Sequence, residues 1–317
     1  MSAHGRSQGA GLKVHHPELP AQISVQAFDA LHDDAPAWRA VVESIAAEHG
    51  PGPVTQMLGG TVLVALVGST RVVKLYPPFL RDHCEFERAT LARLQGRLSL
   101  PTPALIAVGE RDGWPYTVMS QLQGDVLLPL WPTLSEVARC TLLTTLGALA
   151  AQVHALPVGE LAALAPRWED FIHLQRQRCQ VRQQRTGLPE HLLSQLTSFL
   201  SGALPAGEDV ILTGEYTPMN LLVQGETLAG MYDFGDGLVG PREYDWLGPL
   251  CFLAAGHPAR CAAYMGGYGA ALDDALRMQL MRLLLLHRYS HLPSQLALPG
   301  WQQATSFEQL TQWLWAG

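Results

Sequence analysis

The chain of 317 residues has little with which to build a covalent or metal-stapled frame: its five cysteines, Cys84, Cys140, Cys179, Cys251 and Cys261, are odd in number and scattered, with no C-x-x-C pair. That pattern excludes a disulfide framework and a cysteine zinc site, and it predicts a reducing, cytoplasmic setting. Long apolar runs are also missing. The tetrapeptide "LLLL" at 283–286 is far too short to span a bilayer, and the opening "MSAHGRSQGAGLKVHHPELP" lacks the apolar core of a signal peptide, so no membrane partner is expected. Lysine is scarce and the formal net charge is -7. A chain with that balance lacks the clustered cations that neutralise phosphates along a strand, which argues against nucleic acid as a partner and is compatible with a cationic one. The basic stretch "HLQRQRCQVRQQR" does hold four arginines, but without interleaved aromatics or an opposing apolar face it reads as a solvated helix.

What is present is ample apolar material, 48% of residues, enough for two lobes. Residues 1–22 read as a flexible tail rich in Gly and polar residues. In "APAWRAVVESIAAEHG" the residues Trp38, Val41, Val42, Ile45 and Ala46 fall at helical spacing before Gly50 and Pro51. The texture then changes to β-rich runs, one ending at Val67 and one from Arg71 to Leu75, joined by the hairpin signal "GST". A helix, "RDHCEFERATLARLQGRL", separates these from two further strands, "LPTPALIAVGE" and "WPYTVMSQL". From Leu134 onward the chain is mostly helical, interrupted by the short strands "NLLV" and "LAGMYDF". The expectation is an α+β, two-lobed protein: a β-rich lobe over 23–122 and a larger helical lobe over 123–317.

Within that plan, five features occur in the order that phosphoryl transfer requires. Lys74 sits in the apolar strand "RVVKLY", where it either meets nucleotide phosphates or is an edge lysine facing water. Glu87 or Glu85, about a dozen residues on, is placed on a helix from which it can pair with that lysine. The strand end "YTVMSQLQGD" leaves backbone groups where a nucleobase edge can dock. Glu215 precedes Asn220 in "LTGEYTPMNLLV", and Asp233 follows in "GMYDFGD" across a two-stranded turn. An amide and a carboxylate joined by a hairpin form an oxygen-rich pair suited to Mg²⁺.

The segments "VVKLY", "GRLSLPTPALIAVGE", "PYTVMSQLQGDVL", "TGEYTPMN", "MYDFGD" and "GPREYDWLG" together resemble the aminoglycoside phosphotransferase family, small-molecule kinases with a protein-kinase-like fold. The likeness covers most of the chain after the tail, and the ending "TSFEQLTQWLWAG" is most similar to the hygromycin phosphotransferases. The resemblance implies ATP or GTP with Mg²⁺ as cofactors, and a roles assignment residue by residue. Glu215 would be the catalytic base, Asn220 and Asp233 the metal ligands, and Lys74 the contact to the α- and β-phosphates, oriented by Glu87. Met119 ends the strand beside the nucleobase, which the backbones of Ser120 and Leu122 would hold, and Asp245 would brace the catalytic loop. Two positions depart from the family pattern H-G-D-x-x-x-x-N: Thr213 replaces His and Glu215 replaces Asp. The extra methylene shifts a carboxylate by roughly an ångström, enough to cost about 10²-fold in rate without abolishing chemistry. The expected function is therefore transfer of a γ-phosphate to a hydroxyl of an aminoglycoside, an aminocyclitol or another small polar acceptor, with antibiotic resistance inferred from kinship. The alternatives are a metabolic sugar or amino-alcohol kinase and a catalytically weakened nucleotide-binding module. Asp236 and Glu243, with Asp273, Asp274 and Glu308 further on, are candidate acids for a cationic acceptor. A monomer or homodimer is expected.

Overall fold

The computed structural model describes residues 18–50, 52–58, 60–214, 216–296 and 298–315. The tail read over residues 1–22 thus lies largely outside the described residues, as does Glu215. Contacts divide the chain into a smaller unit, ending at Phe79 and rejoined by Ala107–Val118, and a larger one formed by Leu80–Ile106 and the chain from Met119 onward.

The smaller unit is built on helices α1 (Val25–Asp33) and α2 (Ala35–Glu48) and on a five-stranded sheet. Its strands are β1 (Val54–Leu58), β2 (Leu63–Val67), β3 (Arg71–Leu75), β4 (Leu105–Arg111) and β5 (Trp114–Ser120), in the order β1-β2-β3-β5-β4. The five residues of α2 at helical spacing, Trp38, Val41, Val42, Ile45 and Ala46, are the ones it buries. They pack with Leu63, Ala65, Val67, Val73 and Leu75, the inward residues of β2 and β3, and with Trp114 and Val118 of β5. The β2–β3 hairpin pairs Val67 with Arg71 and Val64 with Lys74 across the turn Gly68-Ser69-Thr70. Lys74 is 6% exposed. Helix α1 and strand β1 complete this unit and were not legible in the sequence; Ser24 starts α1 by accepting the Ala27 N–H.

The larger unit opens with helix α3 (Arg81–Leu94) and is otherwise mostly helical. Two small sheets are set into it: β6 (Asp125–Val126), β8 (Leu221–Gln224) and β9 (Thr227–Met231) in the order β6-β8-β9, and β7 (Asp209–Leu212) paired with β10 (Leu238–Pro241). The helices Glu136–His154 and Pro258–Tyr268 cross at glycines, because a Cβ on Gly147 would run into the Tyr264 carbonyl and one on Gly267 into the Thr144 carbonyl. That close approach brings the last residues of the two helices together: the His154 Nδ1 and the Tyr268 hydroxyl are 2.9 Å apart. Among the described residues no helix is long and apolar enough to cross a membrane.

A methyl group has no room at the helix crossing. Gly147→Ala is expected to lower stability by about 1–3 kcal/mol through overpacking, read as a drop in the midpoint of thermal or urea unfolding; an unchanged midpoint would show that the crossing is looser than its geometry.

Candidate active site

The β8–β9 hairpin is antiparallel with Leu221 opposite Met231, and one step beyond that pair the Tyr232 N–H donates to the Asn220 carbonyl at 3.1 Å. The Tyr232 hydroxyl adds a second tie, donating to the Met219 carbonyl at 2.6 Å. Asn220 and Asp233 therefore leave the open end of one hairpin side by side. Asp233 has a φ of 70°, a left-handed conformation that a short polar side chain tolerates better than a bulky one.

Strand β7 runs into Thr213 and Gly214, and here the chain is held by a buried carboxylate. Asp245, in the first turn of the helix Glu243–Phe252, is 3% exposed. Its Oδ2 accepts from the Thr213 N–H at 2.8 Å and the Thr213 hydroxyl at 3.3 Å, and its Oδ1 accepts from the Gly214 N–H at 2.8 Å. The His154 Nε2 lies 3.1 Å from the same Oδ2. Gly214 has a φ of 74°, and a Cβ there would meet the Asp236 carbonyl at 2.8 Å, so this residue is clamped between the Asp245 carboxylate and the backbone after Asp233. Tyr216 is 1% exposed, and burial together with the Asp245 charge pushes its phenol well above the ordinary range. Glu215, between these two fixed neighbours, lies outside the described residues.

The segment after Asp233 is tied to α3. The Phe234 N–H donates to Glu87 Oε1 at 3.1 Å, in a buried position. Glu87 is 1% exposed, whereas Glu85, the other carboxylate weighed for this helix, faces solvent. Lys74 belongs to the smaller unit.

Met119 and Ser120 end β5, and Leu122 lies two residues beyond it. Met119 is buried, and the Ser120 N–H donates to the Ala104 carbonyl at 2.9 Å while its Oγ accepts from the Ala104 N–H at 2.8 Å. Leu122 packs on β9, with its Cδ1 at 2.9 Å from the Cβ position of Gly230. The next residues, Asp125 and Val126, pair with Val223 and Leu222 of β8. The chain just beyond the strand end thus joins the sheet that carries the hairpin bearing Asn220 and Asp233.

The candidate acids do not converge. Asp236 accepts from the Tyr289 hydroxyl at 2.8 Å and from Arg288 Nη1 at 3.4 Å, with His83 Nδ1 also at 3.4 Å, so its charge is already met. Glu243 lies 3.5 Å from Arg242 Nε and lines a hollow of about 520 Å³ with His154, Glu208, Arg242 and Tyr268, away from Asn220 and Asp233. Asp273 caps the helix Asp274–Leu286 by accepting the Leu276 N–H, Asp274 pairs with Arg277 at 2.9 Å, and Glu308 opens the helix Phe307–Trp315. His154, His83, Arg288 and Tyr289 carried no local sequence signal; each reaches its partner across more than fifty positions. Beside Arg288, the His287 ring stacks on Tyr244 at 4.7 Å, and burial, aided by Arg288 and Arg182, lowers its pKa to about 3.

The family model of the Phosphotransferase enzyme family matches residues 58–283. No curated protein sequence matches the chain. Among solved structures, the GDP complex of wild-type aminoglycoside 2'-phosphotransferase-IIIa is similar at a TM-score of 0.64 and 18% identity, covering 86% of this chain and 97% of that one. The macrolide 2'-phosphotransferase MphH from Brachybacterium faecium is similar at a TM-score of 0.58 and 20% identity, covering 77% and 88%. The aminoglycoside phosphotransferase APH(3'')-Id from Streptomyces rimosus, in complex with ADP and streptomycin, is similar at a TM-score of 0.57 and 17% identity, covering 79% and 98%. At such identities the likeness speaks to the fold, a kinase-like pairing of a small antiparallel sheet with a helical body.

Two outcomes are expected from the site's own geometry. Gly214→Ala forces an L-residue to positive φ against the Asp236 carbonyl and should cost about 1–3 kcal/mol, measured by urea denaturation. His287 takes up its proton near pH 6.5 when unfolded but only near pH 3 when folded, so the unfolded chain binds more protons in between and stability rises with pH across that window. The unfolding free energy should therefore fall as pH drops from 6.5 towards 3, and His287→Phe should flatten that part of the profile.

Proposed function

This chain belongs to the phosphotransferase enzyme family, and from that premise we propose that it is a small-molecule kinase, moving the γ-phosphoryl group of ATP or GTP to a hydroxyl of a small polar acceptor. The observation that carries this reading is the open end of the β8–β9 hairpin, where Asn220 and Asp233 emerge together beside the loop that Asp245 holds.

Asn220 and Asp233 are assigned to Mg²⁺. An amide oxygen and a carboxylate presented from adjacent strand ends form a hard-oxygen donor set that fits this ion, which when bound neutralises the charge of the nucleotide's terminal phosphates. Lys74 is assigned to the α- and β-phosphates. Glu87, whose Oε1 accepts the Phe234 N–H, holds the segment that begins at Asp233 and is assigned the orientation of Lys74. Met119, Ser120 and Leu122 are assigned to the nucleobase; since the Ser120 N–H is given to Ala104, the base would meet the Ser120 carbonyl and the Leu122 backbone.

Glu215 takes the role of base. The acceptor hydroxyl gives its proton to the Glu215 carboxylate, its oxygen bonds to the γ-phosphorus, and the bond from that phosphorus to the bridging oxygen breaks to release the nucleoside diphosphate. The protein's share of this chemistry is positioning and electrostatics, which is where a longer carboxylate is tolerated at reduced rate.

Solved structures of this fold include phosphotransferase complexes with streptomycin and gentamicin and a macrolide 2'-phosphotransferase. For this chain an aminoglycoside or aminocyclitol is the first acceptor to try and a sugar or amino alcohol the second. Asp236, its charge met by Arg288 and Tyr289, is a poor ammonium anchor.

A nucleotide-consumption screen with Mg-ATP and Mg-GTP over aminoglycosides, macrolides, sugars and amino alcohols tests this. Turnover with one acceptor class is expected, and Glu215→Gln should cut kcat by about 10²–10⁴-fold while nucleotide binding holds. Unchanged turnover in that variant would remove Glu215 from the base role. Nucleotide binding by the wild type with no transfer to any acceptor would favour an interaction module instead.

A further inference from the structure

We propose that His154, oriented by Tyr268, is a positioning residue for the loop preceding Glu215: it fixes the rotation of the Asp245 carboxylate, and through it the backbone of Thr213 and Gly214. Its catalytic consequence rests on the kinase reading above, while its structural part does not.

The arrangement is one continuous chain of contacts. The Tyr268 hydroxyl is 2.9 Å from His154 Nδ1, His154 Nε2 is 3.1 Å from Asp245 Oδ2, and the two Asp245 oxygens take the Thr213 and Gly214 N–H groups at 2.8 Å each. The His154 side chain is 3% exposed and that of Asp245 0%, so water does not substitute for either partner. A carboxylate can only accept, which requires Nε2 to carry its hydrogen. Nδ1 is then the acceptor of the Tyr268 hydroxyl. Burial raises the Tyr268 phenol, which keeps it a donor.

The two ends of this chain are placed by rigid elements. His154 closes the helix Glu136–His154 and Tyr268 closes the helix Pro258–Tyr268, and these helices touch backbone to backbone at Gly147 and Gly267. Register between the helices is therefore register between Tyr268 and His154. An Asp245 carboxylate bonded only to Thr213 and Gly214 could turn with the loop; bonded also to His154 it is referenced to the helical body. Ordering the amides immediately before Glu215 to a fraction of an ångström is the kind of support that a side chain one methylene longer needs.

The test uses the full chain. With ¹⁵N-labelled histidine, the His154 ring should show a hydrogen on Nε2 and an accepting Nδ1 at pH 7; a ring with its hydrogen on Nδ1 only would overturn the assignment. His154→Leu should speed amide hydrogen exchange at Thr213 and Gly214 by about tenfold or more, the scale of losing a buried bond to a charged group, relative to amides of the helix Asp274–Leu286. His154→Gln, which keeps a donor in reach of Asp245, should restore most of the protection. Should the leucine variant not fold, Tyr268→Phe is the milder probe: it removes only the outer bond and is expected to mix the ring tautomers and loosen the same two amides. Unchanged exchange in a folded His154→Leu or in Tyr268→Phe overturns the proposal. With an acceptor from the screen, kcat should fall in His154→Leu with the KM for Mg-ATP unchanged; faster exchange with wild-type kcat would overturn the catalytic part. If the wild type transfers no phosphate at all, the kinase reading fails while the ring and exchange measurements still decide the role of His154.

Discussion

A buried carboxylate must be satisfied or it will not stay charged, and at Asp245 the satisfaction is supplied by the backbone of a loop thirty residues away. Its two oxygens hold the Thr213 and Gly214 N–H groups at 2.8 Å. Charge-assisted bonds of this kind are about twice as strong as neutral ones, and inside the protein they compete with no water. The Thr213 and Gly214 backbone is consequently tied to the helix Glu243–Phe252. The same carboxylate reaches His154, so a helix of 19 residues, Glu136–His154, is linked to the loop through a single functional group.

The second constraint is the hairpin. Antiparallel pairing of Leu221 with Met231 puts the residues flanking it within reach of each other regardless of how the nearby helices pack. The Tyr232 N–H bond to the Asn220 carbonyl extends that pairing by one position, and the left-handed backbone of Asp233 then turns the chain so that Phe234 can give its N–H to Glu87. The Tyr232 N–H bond to the Asn220 carbonyl and the Phe234 N–H bond to the Glu87 carboxylate fix the backbone on either side of Asp233. The loop is tied into the same corner by Gly214, whose backbone lies against the Asp236 carbonyl.

Much of this was legible. The five apolar positions of α2 follow the helical period and are the ones buried, because a helix beside a sheet has one face to hide. The β2–β3 hairpin was marked by its turn, and the β8–β9 hairpin by two short apolar runs around Gln224, Gly225 and Glu226. Less visible were α1, β1 and the β7–β10 pair. Strand β10, "LVGP", is four residues long, and its partner is fixed by a contact spanning almost thirty positions rather than by any local pattern. The acids proposed for an acceptor illustrate the other limit: Asp236 and Asp273 look alike in sequence, yet one meets Arg288 and Tyr289 while the other caps a helix.

Composition adds a final distinction. The chain has only two lysines, Lys13 and Lys74, and one asparagine, Asn220, and the second lysine and the asparagine both fall within the segments that carry the family resemblance. That much belongs to the sequence, since motif chemistry depends on residue type and order, and a hairpin brings Asn220 and Asp233 together by local pairing alone. Which charges are spent was decided only by the tertiary structure: Asp236 on Arg288 and Tyr289, Asp245 on Thr213, Gly214 and His154. The reason is physical. Burial makes the energy of a charged group depend on partners that are distant in the chain, and no local pattern of residues encodes a partner that packing alone brings near.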